Sequence, residues 1–145
     1  MLELLAHLVG DYIIQTNKQA VLKRKSKKQA LIHAATYTLP FLLLTRDLRR
    51  LVVIFGTHVV IDHWGLARYV VQAKNSLGDW DNREQYKTPT GYPDGTPDWL
   101  KTWLLIIADN TMHLVINHLA LLNTPDEETE HWTIELKPIL PIEQI

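Results

Sequence analysis

An all-α, membrane-embedded four-helix bundle with a long loop between helices 3 and 4 is the fold class this sequence predicts, and three observations carry it. Long runs hold no Asp, Glu, Lys or Arg at all: 29–45, 51–61 and 110–125. Charge gathers between and after them, in the basic runs 18–28 and 46–50 and the acidic run 126–130. Histidines and aspartates interrupt the apolar runs at helical spacing. Apolar segments joined by charged connections are the pattern of helices entering a bilayer.

The 145 residues fit one domain, expected as a helical unit over 1–125 followed by an acidic tail over 126–145. Fifteen Lys plus Arg stand against 16 Asp plus Glu, a formal net charge of -1. No field of one sign covers the molecule, so no nucleic-acid partner is expected. The absence of cysteine excludes disulfide scaffolds, thiolate zinc sites and cysteine nucleophiles.

Helix 1 is expected over 2–17. Its opening, with Glu3 and His7 and no basic start, does not read as a cleavable signal peptide. Helix 2 is expected over 29–45. At 1.5 Å per residue these two reach roughly 24–26 Å, short of a hydrocarbon core of about 30 Å. A buried soluble bundle is therefore the alternative. Helix 3 is expected over 51–72 and helix 4 over 97–123, where Trp99 and Trp103 suit either a membrane interface or a core. The connection 73–96 is dense in turn residues and aromatics, which suits a lid or binding loop, with its 80–92 portion over the site. Four crossings put six basic residues of 18–28 on the cytoplasmic side, although Arg46, Arg49 and Arg50 oppose that orientation. The expectation is a multi-pass protein of a bacterial inner membrane, with the lipid bilayer as partner and self-association or a membrane partner protein open.

The polar residues inside the apolar runs carry the chemistry. Helix 1 holds His7, Asp11 and Gln15; helix 2 holds His33; helix 3 holds His58, Asp62 and His63; helix 4 holds Asp109, Asn110, His113, Asn117 and His118. Residues four apart share a helical face, so His7/Asp11/Gln15, His58/Asp62 and Asp109/His113 form stripes. An unpaired carboxylate in an apolar interior costs several kcal/mol. Divalent ions hold imidazoles and carboxylates together in helical bundles, and this donor set suits Zn, Mn or Fe. His33, His58, Asp62 and Asp109 are the expected inner ligands with His7 beside them, while Asp11 or His113 is expected to move a proton. Gln15 and Asn117 fit helix–helix hydrogen bonds better than ligation. His63 and His118 are weaker candidates, and His131 falls in the tail.

Taken together, His7-Leu-Val-Gly-Asp11-Tyr-Ile-Ile-Gln15, His33, Gly56-Thr-His-Val-Val-Ile-Asp62-His63, Thr90-Gly-Tyr-Pro93 and Asp109-Asn-Thr-Met-His113 resemble a family of small bacterial and bacteriophage proteins of unknown function with predicted membrane helices. The resemblance spans about 2–122. More distantly, the His–Asp pattern is similar to membrane-bound proteins predicted to be metal-dependent hydrolases. That similarity implies hydrolysis of a phosphoester or lipid-like substrate, in which an ion lowers the pKa of bound water and polarises the scissile group. Two other readings stand beside it. One is a non-enzymatic membrane protein, such as a phage product, whose His/Asp cluster fixes helix register while it docks a partner. The other is a haem bundle, which leaves three intrahelical aspartates without a purpose.

Overall fold

The structure, a computed structural model, describes residues 1–122. The described residues form six α-helices and no strand, in the order α1 (Leu2–Leu8), α2 (Asn17–Leu22), α3 (Lys27–Thr38), α4 (Leu48–Trp64), α5 (Ala67–Gly78) and α6 (Asp98–Leu122). The expected tail, with His131, lies outside the described residues. Helices α3, α4 and α6 pack in series, and α1 closes against α6.

Local chemistry explains why four expected rods become six helices. α1 runs directly into a π-helical turn, Val9–Ile14, which ends where Gln15 becomes extended. At Gly10 the turn lies against α3, and a Cβ there would stand 2.7 Å from the Tyr37 ring. The expected connection 18–28 contains α2, started by a capping box in which Thr16 and Gln19 satisfy each other's backbone N–H groups. Ser26 caps α3, which tightens into a 3-10 turn over Leu39–Leu43 where Pro40 cannot supply an N–H. Asp47 caps α4 through the Arg49 N–H at 2.8 Å. The long helix expected over 51–72 breaks at Gly65, whose φ of 59° ends α4 in the left-handed conformation that glycine adopts at little cost.

These breaks bear on the membrane expectation. At 25 residues α6 alone, among the described helices, is long and apolar enough to cross a bilayer. α3 has 12 residues and α4 has 17, so a bundle of four crossings is not confirmed. A multi-pass location in an inner membrane loses its support with it.

The distribution of polarity is inverted relative to an ordinary small domain. The fully apolar core is a small group around Ala6, Tyr37, Phe41 and Ile54. Beside it lie buried His7, Asp11, Gln19, His33, His58, Asp62, His113 and Asn117. Outside, large apolar side chains are open along α1, α3, α4 and α6, among them Leu5, Leu31, Val52 and Trp99.

Candidate metal centre

Three backbone elements bring one group of ligating atoms together. The π turn supplies Asp11, α3 supplies His33, and α4 supplies His58 and Asp62 one helical turn apart. His33 Nε2 stands 3.2 Å from Asp11 Oδ1 and 3.1 Å from Asp62 Oδ2. His58 Nε2 stands 3.6 Å from Asp11 Oδ1 and 3.0 Å from Asp62 Oδ2. The two Nε2 atoms are 2.9 Å apart. Four donors held about 2.0–2.1 Å from one ion at tetrahedral angles lie roughly 3.3 Å from each other. The group has the spacing of a ligand cage.

Its hydrogen bonding is incomplete in the way such a cage requires. Asp11 Oδ1 and Asp62 Oδ2 are buried without a hydrogen-bond partner, and so is His113 Nε2. Lys23 Nζ lies 2.8 Å from Asp62 Oδ2, a charge contact lacking hydrogen-bond alignment. Buried polar atoms without partners are uncommon, and an ion bound at the same point is one physical reason for them. The Nδ1 atoms of His33 and His58 are also unpaired, so neither ring is oriented by the second hydrogen bond that many metal-bound imidazoles make.

Protonation follows the same geometry. Burial, the largest influence, pushes His58 down to about 4, leaving a neutral ring. Burial, the largest influence, would raise Asp62, yet the His113, His33 and His58 imidazoles 3.0–3.5 Å from its oxygens outweigh it and hold this carboxyl well below the usual range. A neutral imidazole and an ionised carboxylate are the forms that bind metal.

A second group shares Asp62. Its Oδ1 is 3.5 Å from His113 Nε2, which is 3.7 Å from Asp109 Oδ2 on the same helix, α6. Asp62 therefore faces both groups with different oxygens. Asp109 is part-exposed and, with Asp11 and Asp62, lines a cavity of about 420 Å³.

The other expected residues fall elsewhere. His7 lies outside both groups, with each ring nitrogen taken. Asn110 Oδ1 can only accept, so His7 Nε2–H donates to it at 2.9 Å, and His7 Nδ1 accepts the Tyr37 O–H at 2.9 Å. Asn117 Nδ2 donates to the same Tyr37 oxygen at 2.6 Å, bridging α6 and α3. Gln15 folds back on the Asp11 carbonyl. His63 donates to the Lys23 carbonyl at 2.9 Å, and His118 meets Glu3 at the surface. The loop does not cover the site: no residue of 80–92 lines the 420 Å³ cavity. Gln72 and Asn75 of α5 instead hold the loop through the carbonyls of Thr88 and Gly91.

Two participants were missed at the level of sequence. Tyr37 stacks on the His58 ring with centroids 3.6 Å apart, and its position four residues after His33 was a usable sign of a shared face. Lys23 gave none, because its basic run reads as a solvated connection.

The class defined by this fold and site is an all-helical protein with a buried His/Asp cluster of metal-ligating geometry. By its sequence the chain belongs to DUF3307, a protein family of unknown function whose model matches residues 1–124. No curated protein and no solved structure matches it.

Proposed function

We propose that this protein binds one divalent ion, Zn, Mn or Fe, through Asp11, His33, His58 and Asp62, and that it is a metal-dependent hydrolase of a phosphoester or lipid-like substrate. The observation that carries the reading is the set of distances from the two imidazoles to each other and to the two carboxylates, 2.9–3.6 Å, among donors drawn from three elements whose carboxylate atoms lack hydrogen bonds. A bound ion would acidify a water molecule and polarise the scissile group. On this proposal Asp109, which lines the cavity 3.7 Å from His113 Nε2, would accept the proton in place of Asp11, which would be a ligand. Asp62 orients both halves, with one oxygen toward each group.

The bilayer is the proposed partner. Support comes from the apolar exterior and from α6, which is roughly 37 Å long and exceeds the hydrocarbon thickness of about 30 Å. The shorter helices would pack around this single crossing.

Metal analysis of the purified protein, joined to hydrolysis of a chromogenic phosphate ester, tests the reading. The expected result is about one ion per chain, lost in His58→Ala and Asp62→Asn while helical circular dichroism is retained, with hydrolysis lost alongside. Absence of metal in the wild type, or hydrolysis unchanged in Asp62→Asn, overturns it.

A further inference from the structure

The cavity beside the cluster is lined by cationic Lys23, Arg24 and Arg68 and by apolar Leu105 and Ile106 of α6, as well as by the carboxylates. Arg24 and Arg68 make no ion pair with a carboxylate among the described residues. The Arg68 Nε is buried and has no hydrogen-bond partner. The Arg24 guanidinium lies across Gly65, in the space that any side chain there would fill. Both arginines also line a second cavity, of about 390 Å³, with His63, Trp64 and Pro89. The Arg68 guanidinium also lies over the Tyr69 ring, 4.5 Å from its centroid, and donates to the Tyr69 hydroxyl. Both guanidinium groups thus border the cavity that reaches the cluster without a carboxylate bound to either among the described residues.

Charge arithmetic gives their purpose. Three carboxylates, Asp11, Asp62 and Asp109, line the main cavity against the three cations. Their formal charges cancel, so a bound dication leaves an excess of positive charge that an anion must meet. Planar guanidinium groups recognise phosphate with paired hydrogen bonds. We infer that Lys23, Arg24 and Arg68 form the subsite for the phosphoryl group of the substrate, whose apolar portion lies against Leu105 and Ile106. The inference rests on the metal-centre reading above and adds the residues that select the substrate. Two sources share this chemistry: a water-soluble phosphate ester with an apolar group, and a lipid phosphate.

Calorimetric titration of zinc-loaded protein with inorganic phosphate tests the subsite. The double variant Arg24→Gln/Arg68→Gln is expected to bind phosphate at least about tenfold more weakly with its zinc content unchanged, because charge-assisted bonds are lost. The exposed pair Lys25→Gln/Lys28→Gln, which removes equal charge outside the cavity, is expected to match the wild type. Lys23 is left intact because it touches Asp62. A second titration with short-chain phosphatidic acid separates the sources. Binding tighter than phosphate supports the subsite with a lipid occupant, and equal binding supports it with a soluble one. Equal phosphate affinity in the wild type and the Arg24/Arg68 double variant, with zinc bound in both, overturns the subsite and leaves the metal centre standing. Failure of the wild type to take up zinc overturns the metal centre, and the inference falls with it.

Discussion

His7 and His33 are equally buried, yet they stand in opposite chemical conditions. Both ring nitrogens of His7 have a partner: Asn110 accepts from one, Tyr37 donates to the other, and Asn117 donates to Tyr37. Around His33 two imidazole nitrogens face each other at 2.9 Å among carboxylates whose hydrogen bonding is unfinished. Satisfied buried networks fix a unique packing, whereas unpaired buried groups cost stability unless something binds them. The first region is built to hold helices together. The second is built to hold something else.

Substitutions can break this contrast. The largest expected effect is on binding: His33→Gln removes one cage atom and should lower zinc affinity about 100-fold or more, on the scale of changes at metal sites. The metal-free protein should unfold at nearly the wild-type denaturant midpoint, since no hydrogen bond of the His7 network is touched. A matching loss of stability would show that the two regions are one structural network. Tyr37→Phe is the converse. Its ring can still stack on His58, but the hydroxyl shared by His7 and Asn117 is gone. Leaving buried partners unpaired should cost about 2 kcal/mol in urea unfolding, with zinc stoichiometry unchanged. The smallest effect is expected at the surface, where His118→Gln loses an exposed contact with Glu3 and should shift neither midpoint nor metal content.

Much of the site's composition was legible because its residues break an apolar background. Asp11, His33, His58, Asp62, Asp109 and His113 stood out on charge alone, and i, i+4 spacing put Asp62 with His58 and Asp109 with His113. Their partition was hidden. Nothing local to His7 says that Asn110 and Tyr37, 103 and 30 positions away, will occupy its ring. The helical class was equally legible, but the breaks were not all read. Gly65 inside an apolar run does not declare its positive φ, and the short α2 depends on a cap formed between Thr16 and Gln19. Hydropathy merged α4 with α5 because both flank Gly65 with apolar residues, and helix length was overestimated for that reason.

The widened turn at Val9–Ile14 has a consequence for what lengths of chain this site tolerates. A π turn accommodates about one residue more than the regular coil around it. Deleting a residue there would let the segment relax to ordinary pitch with its flanks still in register, but the side chains of the turn itself would be re-aimed by about 100° per position shifted. The Asp11 carboxylate and the Gly10 face against Tyr37 could not then both keep their bearings. The spacing between Ala6 and Thr16 is thus a ruler, and a homologue one residue shorter there would need a different acid for the same corner.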